Sequence, residues 1–225
     1  MAGSLYLVGT PIGNLEDVSP RALRTLAQVS VILAEDTRVT KKLLSRHAIA
    51  TPVESFHEYS GQNKIARIID RLRGGESLAL VTDAGTPGVS DPGAHLVAEA
   101  ARALGDELTV VPIPGPSAVT AALSVSGFPA DEFRFVGFLP VKKGRAAMLK
   151  GIADDRTTIV IFESPHRIVK TLTELAALSP KRNAVVAREV TKLFETIQRG
   201  TLTELAASGA VRPQGEFVIV LAPFK

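Results

Sequence analysis

The sequence predicts two α/β domains with a cleft between them. Short apolar, β-rich runs alternate with Ala- and Leu-spaced helical patterns through the first half. The proline-rich segment Ile113-Pro114-Gly115-Pro116 then interrupts the alternation as a domain joint. Beyond it the strand runs suit a more antiparallel sheet. The expected division is residues 1–114 and 115–225. A chain of 225 residues is long enough for one large or two small cores.

In the first domain the expected strands are Leu5 to Val8, Val31 to Ala34, Val53 to Phe56, Leu78 to Thr82 and Leu108 to Val111, each short and largely apolar. Helices are expected between them. Ser19-Pro20 reads as an N-cap followed by proline in the first helical position. Asp91-Pro92 repeats that signal ahead of an Ala-rich helix ending near Leu104-Gly105. After the joint, Ser117 to Ser126 is an expected helix, followed by strands at Phe133 to Phe138 and Thr158 to Phe162. Ser164-Pro165 caps a helix reaching about Leu178. Ala184 to Val190, Thr196 to Arg199 and Phe217 to Leu221 complete the second sheet.

Composition excludes several chemistries. With Cys 0 there is no disulfide framework, zinc-thiolate site, iron–sulfur cluster or cysteine nucleophile. Four scattered histidines lack ligand spacing, so no metal is expected. No apolar run approaches the ~18 residues that span a bilayer, and the default expectation is a cytoplasmic protein. Lys+Arg 26 against Asp+Glu 23 leaves a formal charge of +3, so charge distribution matters more than its sum.

Glycine and proline concentrate at strand ends, in Val8-Gly9-Thr10-Pro11-Ile12-Gly13-Asn14 and in the segment from Val81-Thr82-Asp83-Ala84-Gly85-Thr86-Pro87 to Gly93. In open α/β sheets ligands bind in such carboxyl-end crevices. Glu35-Asp36 follows the first glycine cluster by about the ~20 residues expected of a ribose-binding acid. Yet G-x-G-x-x-G is absent, and Pro11 and Pro87 remove donors that a pyrophosphate would use. A cofactor without phosphate suits these loops better, and S-adenosylmethionine has that character. Simple tight turns are the structural alternative.

Val8-Gly9-Thr10-Pro11-Ile12-Gly13, Thr82-Asp83-Ala84-Gly85-Thr86-Pro87 and Pro114-Gly115-Pro116-Ser117-Ala118 together resemble the tetrapyrrole methylase family of S-adenosylmethionine-dependent methyltransferases. Ala34-Glu35-Asp36-Thr37-Arg38, Ser90-Asp91-Pro92-Gly93, Phe162-Glu163-Ser164-Pro165-His166-Arg167 and Arg188-Glu189-Val190-Thr191-Lys192 are similar to its branch that methylates small-subunit ribosomal RNA. The resemblance implies 2′-O-methylation of a cytidine ribose in the decoding region of 16S ribosomal RNA, on the assembled small ribosomal subunit, by a homodimer. It also implies a cofactor cleft using Pro11, Asp83, Ala84, Gly85, Val89, Ser117 and Ala118, closed by Phe162. Ring-methylating members usually carry a G-D-P second loop. Here Thr82 precedes Asp83 and Ala84-Gly85 follow it, which argues against a tetrapyrrole acceptor.

A ribose hydroxyl is a poor nucleophile, so in-line positioning and a proton acceptor are the expected needs. Glu163, Glu189 and a deprotonated Lys192 are the candidate bases, each with an alternative reading as a salt-bridge partner. Arg38, Arg167 and Arg188 are candidate phosphate or base contacts, since guanidinium forks match phosphate oxygens. His57 and His166 are further polar candidates. Lys41-Lys42 with Arg46, and Lys142-Lys143 with Arg145, form local basic clusters suited to an RNA backbone or simply to solvation. With Phe 9, Tyr 2 and Trp 0, no stacking platform is visible. A small-molecule methyltransferase and an inert ribosome-binding factor remain the alternatives.

Overall fold

The computed structural model describes residues 2–57, 60–90, 93–207 and 209–224. The chain divides into two compact units, Met1–Ser117 and Ala118–Lys225. The division falls a few residues after the expected joint for a physical reason. Gly115 lies so close to Gly9 that a Cβ on either would stand 2.7 Å from the other's backbone. That approach ties the segment after Ile113 to the first unit.

The first unit holds β1 (Ser4–Val8), β2 (Val31–Ala34), β3 (Val53–Ser55), β4 (Leu78–Val81) and β5 (Thr109–Ile113). They form one parallel sheet in the order β3-β2-β4-β1-β5. Its helices are α1 (Pro20–Gln28), α2 (Thr37–Arg46), α3 (Gln62–Arg73) and α4 (Gly93–Leu104). Ser19 caps α1 as expected, its hydroxyl accepting from the Ala22 N–H at 3.0 Å, worth about 1 kcal/mol. The second expected cap, Asp91-Pro92, lies outside the described residues.

Right-handed crossovers send connections from β1 and β2 one way along this sheet and those from β3 and β4 the other. Thus α1 and α2 cover one face, where Ala22, Leu26, Leu43 and Leu44 pack on Val8, Ile32, Ala34 and Ala79. The other face carries α3 and α4, where Ile65, Ile68, Leu72, Leu96 and Ala100 meet Leu5, Leu33, Leu78 and Leu80. Burying both faces explains the unbroken apolar runs; each buried Leu or Ile contributes roughly 1.5–3 kcal/mol.

The second unit runs α5 (Ala118–Ser126), β6 (Phe133–Phe138), α6 (Arg145–Ala153), β7 (Thr158–Glu163), α7 (Ile168–Leu178), β8 (Asn183–Arg188), β9 (Thr196–Thr201), α8 (Leu202–Ala206) and β10 (Phe217–Leu221). The sheet order is β6-β7-β10-β8-β9, parallel only between β6 and β7. Ile161, Val186, Phe217 and Ile219 face α6, α7 and α8, while Val160, Val185, Val218 and Val220 face α5. Arg182 is a buried staple whose guanidinium donates to the carbonyls of Ile152, Asp155, Thr157 and Ala222.

Several expected boundaries move by a residue or two, and two of the shifts have a clear local cause. The Ser164-Pro165 cap is not formed: the Ser164 carbonyl accepts from the Arg167 and Ile168 N–H groups, making a turn, and α7 starts only at Ile168. Strand β8 stops at Arg188 rather than Val190 because Glu189 takes a left-handed φ of 52°. Among the described residues, no helix is long and apolar enough to cross a membrane.

Candidate functional site

The two glycine-proline loops emerge from adjacent strands of the first sheet. The loop after β1 turns to the α1 face, whereas that after β4 turns to the α4 face, so β4 and β1 form a topological switch point. The loops are bolted together there. Thr10 N–H donates to the Gly85 carbonyl at 2.9 Å and Gly85 N–H returns to the Thr10 carbonyl at 3.1 Å. The buried Thr10 hydroxyl donates to the Thr82 carbonyl at 3.2 Å. Gly85 has φ +85°, and a Cβ there would stand 3.4 Å from Ile12 Cγ2. The left-handed conformation, rather than lack of space, is therefore what favours glycine here.

The acids at the end of β2 join this edge. Asp83 Oδ1 accepts from the Asp36 N–H at 2.8 Å, and the Thr82 hydroxyl donates to Glu35 Oε2 at 3.2 Å. Asp36 itself caps α2, accepting from the Arg38 N–H, and forms a 2.6 Å ion pair with the Arg38 side chain. The Arg38 hydrogen bonds hold the Asp36 carboxyl down at about 2. Spacing alone singles out Glu35, with Asp36, as a ribose-binding acid; its hydrogen bond from Thr82 has no cue in the sequence beyond the position of both residues at strand ends.

The chemistry of this edge suits a particular ligand class. Thr10 and Gly85 spend their N–H groups on each other, and Pro11 and Pro87 have none, so these four positions give a phosphate no donor. What the edge offers is buried Pro11 and Ile12, main-chain carbonyls and the Asp83 carboxylate, whose second oxygen has no partner among the described residues. Ala84 and Val89 lie exposed on the same loop, Gly85 is buried and Ser117 half-buried. This donor set fits an apolar, cationic cofactor such as a sulfonium nucleoside.

In the second unit the expected site residues separate into two groups. Glu163 closes β7 with its side chain fully buried (0% exposed), receiving Arg167 Nε at 2.8 Å. It also accepts from the Ser164 N–H and the Thr171 hydroxyl, each at 2.7 Å. Thr171 in turn accepts from Arg145, which pairs with Glu174 at 2.6 Å. Oε1 thus anchors the 164–167 turn and Oε2 anchors Thr171 of α7, an engaged and buried setting that runs against the expectation of Glu163 as a base. Arg145 is likewise removed from its expected basic cluster, because it is buried and paired.

The other group is the loop joining β8 to β9. Lys192 donates to Glu189 Oε1 at 3.0 Å and to Glu216 Oε2 at 2.9 Å. Burial opposes its charge, but the hydrogen bonds to Glu216 and Glu189 outweigh burial and raise its pKa above the usual lysine value. That direction runs against the expectation of a deprotonated Lys192 base. Burial would raise the Glu189 carboxyl, yet the Glu216 N–H and Lys192 bring it below its ordinary value, leaving an ionised group with Oε2 unengaged among the described residues. A Cβ on Gly215 would stand 2.5 Å from the Glu189 side chain, so the strained Glu189 is held from both sides.

The expected substrate contacts differ in availability. The Arg38 side chain is 86% exposed, and His166 is exposed at the turn before α7. Arg167 is half-buried, bound to Glu163 and, through Nη1, to the Leu139 carbonyl at 2.8 Å. Arg188 donates to the carbonyls of Gln214 and Phe194 and shapes its loop. Phe162 is half-buried between Phe135 and Phe138, and Ala118 opens α5.

The pattern of Tetrapyrrole (Corrin/Porphyrin) Methylases matches residues 4–206. The chain is 50% identical over 224 residues to a Xylella fastidiosa protein called Ribosomal RNA small subunit methyltransferase I, covering 97% of this chain and 81% of that one. The Thermotoga maritima protein of the same name is 45% identical over 221 residues, covering 98% of each. Among solved structures, uroporphyrin-III C-methyltransferase from Thermus thermophilus in complex with S-adenosyl homocysteine aligns with TM-score 0.66 at 24% identity, covering 98% of this chain and 97% of that one. Diphthine synthase aligns with TM-score 0.72 at 17% identity, covering 98% and 90%. These two likenesses establish the fold.

Proposed function

Since the chain belongs to the tetrapyrrole methylase family, we propose that it uses S-adenosylmethionine to methylate small-subunit ribosomal RNA, at the ribose 2′-hydroxyl of a cytidine in the 16S decoding region. The observation that carries this reading is its identity with relatives bearing the name Ribosomal RNA small subunit methyltransferase I, 45% across 98% of both chains in the Thermotoga maritima case. The physiological substrate in this reading is the assembled subunit, and the working form is a cytoplasmic homodimer.

Bound S-adenosylmethionine supplies an electrophilic methyl group on sulfur. Pro11, Asp83, Ala84, Gly85 and Val89, with Ser117, form its seat in the first unit, where carbonyls and the Asp83 carboxylate favour a cation. The chain's own residues then govern the hydroxyl. Glu189, ionised and with Oε2 unengaged, receives the proton, and Lys192, held as an ammonium, fixes its orientation. Glu163 is a positioning residue that braces the turn presenting His166 and Arg167. Arg38, with Lys41, Lys42 and Arg46 along exposed positions of α2, gives the RNA backbone a cationic track.

The test is transfer of labelled methyl to small ribosomal subunits lacking native modification, followed by alkaline hydrolysis. An alkali-resistant, cytidine-containing dinucleotide is expected, because a methylated 2′-oxygen cannot attack the neighbouring phosphate. Transfer to a base, or cofactor binding without any transfer to RNA, contradicts the reading.

A further inference from the structure

Strand β6 is an edge strand with an irregular register. Phe135 pairs with Val160, but Phe138 pairs with Phe162, so three steps on β6 match two on β7. The extra residue is a bulge, with Gly137 at φ +63°. Residues an odd number apart normally point to opposite faces of a strand; the bulge returns Phe138 to the face of Phe135 and Phe162. The result is an edge-on aromatic trio, with Phe162 centred 4.8 Å from Phe135 and 5.7 Å from Phe138. Phe135 and Phe162 are half-buried, whereas Phe138 remains 56% exposed.

Cationic residues adjoin this ring along the chain. Arg167 binds the carbonyl of Leu139, the next residue, and its Nη2 is uncommitted among the described residues. Lys142 and Lys143 follow three and four residues after Leu139, both exposed, and neither has an ion-pair partner among the described residues. Glu163, the nearby acid, is buried and matched by Arg167. A supported aromatic face with unpaired lysines four and five residues along the chain is a combination that suits single-stranded nucleic acids, bases stacking on the ring and phosphates meeting the cations. A protein partner or a second copy would call for a wider apolar patch or acidic matching groups.

We propose that Phe138 is a stacking platform for an unpaired nucleobase of the RNA substrate, with Lys142 and Lys143 on the adjoining phosphates. The proposal rests on the RNA reading above and adds a substrate-binding residue to it. Base stacking on aromatic side chains is typically worth enough for about a 5- to 150-fold change in affinity.

The chain has Trp 0, so Phe138→Trp introduces a single indole whose fluorescence reports stacking directly. Quenching is expected with a single-stranded oligoribonucleotide and not with the same sequence in a duplex. In methyl transfer to small ribosomal subunits, Phe138→Leu is expected to raise KM about 5- to 150-fold with the loss falling on KM rather than kcat, and Phe138→Tyr to restore it. An unquenched indole when wild-type protein binds the oligonucleotide, or a Phe138→Leu KM equal to wild type, overturns the proposal. So does sedimentation showing that Phe138→Leu only dissociates a dimer, which would assign the ring to a second copy. If wild-type protein neither binds oligoribonucleotide nor methylates subunits, the RNA reading itself falls and takes this proposal with it.

Discussion

The carboxylates at the second unit's strand ends look alike in sequence but have opposite environments. Glu163 has no exposed side-chain surface and holds a partly exposed Arg167, whereas Glu189 keeps one oxygen unengaged. Removing the charge of Glu163 leaves Arg167 without its partner, so Glu163→Gln is expected to cost about 2 kcal/mol, below the usual 3–5 for a fully buried pair because Arg167 reaches solvent. A fall in Tm with kcat largely retained is the expected signature; a collapse of kcat at unchanged Tm would return Glu163 to the chemistry. Glu189→Gln is expected to do the reverse, lowering kcat roughly 10²- to 10⁴-fold, and a kcat within threefold of wild type would remove its role as proton acceptor. Asp36 gives a pH test. Its folded pKa of about 2 lies below the ordinary carboxylate value near 4, so its contribution is present above about pH 4 and lost as pH falls towards 2. The Tm difference between wild type and Asp36→Asn should therefore shrink across that window; a constant difference would mean that the cap acts without its charge.

At the scale of elements, strands were legible where both faces are covered, because apolar continuity and flanking turn residues survive in one dimension. Val31 to Ala34 and Phe217 to Leu221 run between the expected residues. What failed was local geometry imposed from a distance. The start of α7 follows the turn that Glu163 and Arg167 brace, and the end of β8 follows from a left-handed Glu189 wedged against Gly215. The aromatic trio was invisible because a one-residue bulge decides which face Phe138 takes. The glycine loops were legible as chemistry, yet their coupling was not: Gly9 and Gly115 touch across more than a hundred residues of chain. Gly115→Ala would place a Cβ 2.7 Å from Gly9 backbone atoms, and backbone cannot yield as a side-chain tip can. A loss of about 1–3 kcal/mol is expected, with weakened S-adenosylmethionine binding by calorimetry. Unchanged affinity at lowered Tm would mean that the contact supports the fold and not the cofactor seat.

For the whole molecule, a formal charge of only +3 conceals how the cations are spent. Arg145 and Arg182 are buried in the framework, and Arg71 bridges Glu54 and Glu76. Sequence proximity grouped Arg145 with Lys142 and Lys143, but only the fold separates a structural cation from one left for a partner. The two lysines, and the α2 series of Arg38, Lys41, Lys42 and Arg46, remain at the surface. If they neutralise phosphates, each contact releases counterions and steepens the fall of affinity with salt, by roughly 0.7 in the log–log slope per phosphate of a single strand. Lys142→Gln combined with Lys143→Gln is therefore expected to make that slope shallower by about 1.4, measured as subunit binding across potassium chloride concentrations. Affinity should fall most at low salt, where the lost electrostatic contribution is largest, and the wild-type and variant curves should converge as salt rises. Parallel lines of equal slope would mean that these lysines only solvate the loop, and the RNA track would then lie along α2 alone.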